Sequence, residues 1–336
     1  MSSVWVAASR VAAWAPDIAR ELIANAPDRE PHDDARAGEI LGRAFAATGA
    51  WDLARDSFLL AAEAWEADDP ARALAVSGVA RALPVKPFID DAAAIAAELD
   101  IVQRLLTPAA PTPVVRRTLV ELQRSLAPRR VVGTLEVAFG LSPTETALLV
   151  AAAAPLLDPG FPALSIEQWE DLVASSTLAP FATIDRLVRM GAIAQTSPLT
   201  VAPGIASWLL GRRAMEHPGG VRLYRTPPAL ATGDVAAARR LIVDGASVVT
   251  SDPETLAAGL IAFNRSLIAL RPPARARRQA IVAASVEARL HGGIPLIDLE
   301  TWESPDVAIA AELAPCVIAL PQDPVLANEL RGIVAP

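Results

Sequence analysis

Two carboxylates close to an apolar run carry the most pointed chemical possibility in this chain. Asp298 ends the run Ile294–Ile297, and Glu300 follows two positions later. An acid at the end of a buried strand can hold a divalent ion beside a phosphate, provided that a neighbouring loop cradles the phosphates. Such a loop needs glycines so that backbone N–H groups can face the anion, a lysine for the β/γ oxygens and a hydroxyl for the metal, written GxxxxGK[ST]. Lys86 is the only lysine in the chain, and no such pattern surrounds it. A strand-end carboxylate that caps its own loop is the competing reading of Asp298 and Glu300.

Other chemistry finds less support. His32, His217 and His291 fall in separate predicted loops without a second His, Cys or carboxylate at ligand spacing, which argues against zinc. A GxSxG nucleophile elbow does not occur. The acid pairs Asp33-Asp34, Asp68-Asp69 and Asp90-Asp91 stand at loops and helix starts, where they cap helices and favour the dipole. We therefore expect no enzyme, no cofactor and no metal site. Arg116, Arg117 and Arg124, with Arg129-Arg130 beyond them, form the one cluster that could meet phosphate; a solvated helix face answering acidic neighbours explains it equally well.

These residues must be positioned by a chain of 336 residues, long enough for two or three cores, with 52% hydrophobic residues to fill them. A net charge of −8 and a pI near 5.1 argue against a general binder of nucleic acid or anionic membrane. The single cysteine, Cys316, excludes an intrachain disulfide, and its apolar neighbours predict a buried thiol and a reducing, cytoplasmic setting. No basic segment precedes an apolar core at the amino terminus, and Arg10 interrupts the would-be core. The longest apolar run, Ala147 to Leu157, is about half of a membrane span. A soluble protein without membrane contact is expected.

Taken in order, Val4 to Ala24 reads as a helix. From Ala35, the residues Leu41-Gly42, Phe45, Gly49, Trp51, Ala54, Phe58 and Ala61 fall at the offsets of a tetratricopeptide repeat. Gly42 and Ala54 would let two antiparallel helices approach, with Phe45, Trp51, Phe58 and Trp65 forming their seam or a partner surface. Further helices are predicted from Pro70 to Leu83 and from Phe88 to Leu106. Such a pair needs neighbours, so this segment reads as a small helical-repeat domain, or as a plain helical bundle. The prolines of Thr107 to Pro113 mark a linker.

Ser142-Pro143 with Glu145 predicts a capped helix running to Leu157, stopped by Asp158-Pro159-Gly160. Ser165 to Ala174 and Pro180 to Met190 predict two more helices. Ala192–Thr196 and Leu199–Val201 read as the short strands of a wing, and Gly204–Leu210 as a closing helix. Arg212 to Pro228 reads as irregular. Helices are then predicted at Asp234–Val243, Pro253–Leu270, Ala274–Leu290, Ser304–Leu313 and Pro324–Ile333. Between them lie buried strands at Ser247–Ser251, Ile294–Leu299 and Cys316–Leu320, so a small parallel sheet is expected.

The stretch FGLSPTETALLVAAAAPLLDPG with SPLTVAPGIASWLLG resembles the winged-helix segment in the amino-terminal half of bacterial AAA-type ATPases associated with contractile injection systems, over residues 131 to 211. EARLHGGIPLIDLETW and LAPCVIALPQD are similar to the Walker B strand and the next strand of such an ATPase core. The resemblance implies a mainly α protein with a small α/β part: a helical-repeat domain (1–110), a winged helix (114–218) and a degenerate AAA-like domain (219–336). At the place of the phosphate loop stands DGASVVTSDPETL, with one glycine and no lysine, which implies a relative that does not hydrolyse nucleotide. The expected function is an adaptor or assembly factor for protein partners such as injection-particle or ATPase subunits. The alternative is a winged-helix transcription regulator with a carboxy-terminal sensing domain, in which Arg186 and Arg189 would contact DNA. Against it, the helix at Pro180 opens on apolar residues, and the acids between Ser142 and Gly211 outnumber Arg186 and Arg189. Nucleic acid is accordingly not expected as a partner.

Overall fold

The computed structural model describes residues 3–12, 14–26, 31–106, 114–127, 130–173, 180–211, 222–227, 232–271, 278–298, 304–313, 315–321 and 323–334. The expected linker, 107–113, and most of the segment expected to be irregular, 212–228, lie outside these residues. The chain is mainly helical with a small sheet part, and it divides into two compact units, the first reaching Pro162 and including 167–178, the second formed by 163–166 and 179–336.

In the first unit, α1 (Ser3–Val11) and α2 (Pro16–Ala24) replace the single helix expected over residues 4–24. Pro16 is the cause: it cannot donate a helical N–H but suits a first-turn position, so one helix ends and another begins. The two pack on each other and on α3 (Pro31–Ala47) through Trp5, Val11, Ile23, Ile40 and several alanines. Helix α3 pairs with α4 (Trp51–Trp65), and α4 with α5 (Pro70–Arg81). A Cβ on Gly42 would stand 2.8 Å from the Phe58 ring, and one on Gly38 2.8 Å from the Ala61 Cβ, so α3 and α4 meet at a distance that only these small residues permit. Helix α6 (Asp91–Leu105) starts three residues later than expected, where the Asp90 side chain accepts from the Ala93 N–H at 2.7 Å.

Helix α7 (Val114–Ser125) folds back onto α3, α5 and α6, and α8 (Val131–Phe139) and α9 (Pro143–Leu157) pack on α6. Helix α9 begins in the capping box read from the sequence: Ser142 Oγ accepts from the Glu145 N–H, and the Glu145 carboxylate accepts from the Ser142 N–H at 2.7 Å. A short helix, α10 (Ile166–Val173), follows.

The second unit starts with α11 (Pro180–Arg189), the antiparallel pair β1 (Ile193–Thr196) and β2 (Leu199–Val201), and α12 (Pro203–Leu209). Next come β3 (Arg222–Thr226), α13 (Val235–Arg239) with a π-helical turn at Arg240–Asp244, β4 (Val248–Thr250), α14 (Pro253–Leu260), β5 (Ser266–Arg271), α15 (Arg278–Leu290), β6 (Gly293–Ile297), α16 (Ser304–Glu312), β7 (Val317–Ala319) and α17 (Pro324–Val334). The sheet order is β3-β5-β6-β7-β4, parallel except for β3 at one edge.

Five strands stand where three were expected. Strand β3 lies in a segment expected to be irregular, and β5 stands where the sequence predicts the tail of a helix over 253–270. The reason is burial on both faces: Leu267 and Ala269 pack with Leu256 and Leu260 of α14, while Ile268 and Leu270 pack with Ile281 and Ala284 of α15. A strand covered twice shows a continuous apolar run, which periodicity cannot distinguish from a buried helix. The boundary is set by Asn264, whose φ of 53° ends the helical turn before β5 begins.

Candidate functional site

In an open α/β sheet the carboxyl ends of the parallel strands are where ligands are held. Here those ends belong to β4, β5, β6 and β7, and each carries a polar residue with a partner of its own. Strand β4 ends at Thr250 and α14 begins at Pro253, so only Ser251 and Asp252 join them. The Asp252 carboxylate accepts from the Thr255 N–H at 3.1 Å and from the Thr255 hydroxyl, while Thr250 Oγ1 accepts from the Asp252 N–H at 3.0 Å. The bonds from the Thr255 side chain and backbone hold the Asp252 carboxyl below its ordinary value. A negative group thus already caps the amino end of α14, where a phosphate-binding loop would place the phosphates.

Asp298, just past β6, does not turn towards β4. It accepts from Arg271 at the end of β5 at 3.4 Å, an exposed pair. Strand β7 separates β6 from β4, which sets the strands that lead to Asp298 and Asp252 about 10 Å apart, two strand spacings. Glu300 lies outside the described residues. After β7, Asp323 caps α17, accepting from the Val325 N–H at 2.8 Å. Among the described residues no group of three or more His, Cys, Asp or Glu could hold a metal ion.

The four aromatic residues proposed as seam or surface are placed on the seam. Phe58 and Trp65 are buried beside Ala54, Ala61 and Val76, and Phe45 and Trp51 pack partly buried against the same cluster. The Trp65 N–H donates to Glu39 at 2.7 Å; Arg72 covers the ring at 4.9 Å while pairing with the same Glu39, and His32 stacks on it at 5.8 Å. His32 therefore stands in the first turn of α3 and not in a loop, and it meets Asp68 at 3.3 Å. Arg20 lies over Phe45 at 5.4 Å.

The arginines of α7 are paired with carboxylates, and Arg124 is buried where a solvated face is the expectation. Arg124 is buried between Glu98 of α6 and Glu136 of α8, donating to Glu136 at 2.7 Å and to Glu98. Arg117 pairs with Glu121 at 3.1 Å and Arg116 with Asp100 at 2.8 Å; Arg43 of α3 adds a further ion pair to Glu121 at 2.9 Å. Burial raises Glu98 by more than Arg124 lowers it, so its carboxyl sits above the ordinary value. Burial also works to raise Glu121, but the charges of Arg43, Arg117 and Arg124 outweigh it and Glu121 sits below. The sequence holds no signal for this network, because α6, α7 and α8 each show only ordinary charged residues until they are brought together.

In the second unit, Arg189 is exposed and donates to the Asp185 carbonyl at 3.4 Å, while Arg186 lies near enough to buried Arg289 for its charge to lower that residue's pKa. Burial is the larger cause and brings Arg289 down to about 10. Arg189 and the Arg278–Glu312 ion pair line a cavity of about 210 Å³ with Val188, Val282, Ile309 and Leu313. Phe181, Ala182 and Thr183 are not described beyond their backbone, so the apolar start of α11 read from the sequence has no side-chain account. No described helix is long and apolar enough to cross a membrane. No protein-family model matches the chain, and comparison with curated proteins and with solved structures gave no match.

Proposed function

We propose that this chain is a non-catalytic adaptor or assembly factor, built from a helical-repeat segment, a winged helix and a degenerate AAA-like α/β part, that binds protein partners such as the subunits of a contractile injection particle or of an AAA-type ATPase. The observation that carries the reading is the Asp252 carboxylate at the amino end of α14, two residues after β4. A nucleotide would have to bring its phosphates to an end already capped by a negative group, with no glycine-rich loop to wrap them and no lysine to meet their charge. Asp298 supports the same reading, since its carboxylate is engaged with Arg271. The succession α11, β1, β2, α12 supports the winged-helix element, and the pairing of α3 with α4 across Gly38 and Gly42 supports the repeat.

The test has two arms. Magnesium-ATP is expected to leave the melting temperature of the full chain unchanged and to give no phosphate release above background. Turnover above about 0.1 per second, low on the scale of ordinary enzymes, that is lost in Asp298→Asn would overturn the non-catalytic reading. Affinity capture from native host cells with the full chain is expected to retain particle or ATPase subunits; retention of duplex DNA in their place would favour a regulator.

A further inference from the structure

Phe45, Trp51, Phe58 and Trp65 pack against neighbouring helices of the chain itself. Helix α3 is covered by α1 and α2 on one side, by α4 on another and by α7 on a third. The outward face of α4 remains, and its composition is unusual for a solvated face. Leu53, Leu59 and Leu60 are 52%, 44% and 65% exposed, on a helix whose other face buries Ala54, Phe58, Ala61 and Trp65. Between the leucines run Asp56 and Glu63, both exposed, at helical spacing from Leu53 and Leu60 (i, i+3, i+7, i+10), so the four form one stripe. Among the described residues neither carboxylate meets an arginine.

We infer that the outward face of α4 docks a cationic amphipathic helix of a partner protein, with leucine contacts on either side of a line of Lys or Arg that answers Asp56 and Glu63. Charge selects this occupant. A second copy of the chain, placed face to face by a twofold axis, would set Asp56 and Glu63 against their own equivalents. Nucleic acid and anionic membranes meet the same repulsion. A neutral apolar helix would cover the leucines but desolvate two carboxylates without a partner. The inference rests on the adaptor reading above and adds to it the place and the chemistry of the contact.

The test uses the full chain and three synthetic helical peptides that share one leucine pattern: one with lysines on the central line, one with glutamates there, and one with the lysines kept and the leucines replaced by serine. By fluorescence anisotropy the lysine peptide is expected to bind, the other two to bind at least on the order of tenfold more weakly. Leu60→Ser and Glu63→Lys should each weaken the lysine peptide on the order of tenfold, with melting temperature unchanged because both positions face solvent. Absence of binding, equal binding of all three peptides, or binding indifferent to both substitutions overturns the inference. So does concentration-dependent dimerisation that Leu60→Ser abolishes, which would seat a second copy on this face. Capture from host cells with the wild-type chain and with a Leu53→Ser/Leu60→Ser chain separates the two levels. Equal retention of the same proteins by both chains removes the α4 surface and leaves the adaptor reading standing; retention of nothing by either removes both.

Discussion

Arg10 of α1 and Glu145 of α9, separated by 135 positions, meet in a two-pronged ion pair at 3.0 and 3.3 Å. Glu145 is fully buried and already serves the capping box of α9, so one carboxylate satisfies the Ser142 N–H and receives the arginine fork as well. Arg10→Met should cost about 1–3 kcal/mol, the penalty for a buried acceptor that loses a partner. The decisive measurement is a double-mutant cycle by urea unfolding. Arg10→Met and Glu145→Gln together should cost clearly less than the sum of the two, by about 0.5–3 kcal/mol; additive costs would show that the pair is not coupled.

The buried network around Arg124 predicts a pH profile with two opposed arms. Glu98 is raised above its ordinary value of 4.5, chiefly by burial. Below that ordinary value it is protonated whether the chain is folded or not, and its contribution to stability is complete. As pH rises through the raised folded value the unfolded chain ionises first, and that contribution is lost. Glu121, lowered by three arginines against the effect of burial, behaves in the other sense: its contribution is present above the ordinary value and is lost as pH falls through the lowered one. Unfolding free energies measured from acid to neutral pH should lose their alkaline decline in Glu98→Gln and part of their acid decline in Glu121→Gln. Arg124→Met should destabilise by about 3–5 kcal/mol, since it strands Glu98 and Glu136 in the interior.

What the sequence made legible follows from how local each signal is. The capping box at Ser142, the start of α14 after Asp252 and the β1–β2 turn are decided by residues within a few positions of one another, and they were readable. The apolar strand at β6 is readable because Gly292 and Asp298 bracket it. Strand β5 was hidden by having both faces covered, and with it went Arg271, so the partner of Asp298 could not be anticipated. Arg10 and Arg124 show the same limit from the side of charge. Each was read against its near neighbours, whereas its partners come from other helices that only the tertiary fold assembles.

The close approach of α3 and α4 gives a comparison between two glycines. Gly42→Ala would drive a methyl group to 2.8 Å from Phe58, a rigid ring held between helices, and should cost about 1–3 kcal/mol through overpacking. Gly49 has open space around it, but its φ is +76°, so Gly49→Ala should cost about 1–2 kcal/mol through the backbone alone. Combining Gly42→Ala with Phe58→Leu makes room at the ring and should return part of the first cost, while the same Phe58→Leu change should return none of the second. Thermal unfolding of the single and double variants checks both statements, and a Gly42→Ala chain as stable as the parent would refute the tight seam.

Cys316 offers a direct readout of the sheet core. It is fully buried in front of β7; its backbone N–H donates to Ser247 Oγ at 3.1 Å, and its sulfur lies 3.6 Å from both that hydroxyl and the Ala310 carbonyl. Burial pushes the thiol up to about 11, more than the Ser247 bond and the charge of Arg289 lower it. The thiolate is the reactive form, so both access and ionisation oppose alkylation in the folded chain. Iodoacetamide at pH 8 should therefore label Cys316 only at the rate at which the second unit opens, and labelling should become rapid in denaturant. Ala310→Gly, which takes a methyl group out of the packing around the sulfur, should speed labelling through a lower opening free energy. Rapid labelling of the folded parent chain at the rate of a free thiol would show that β7 and α16 do not enclose the sulfur as described.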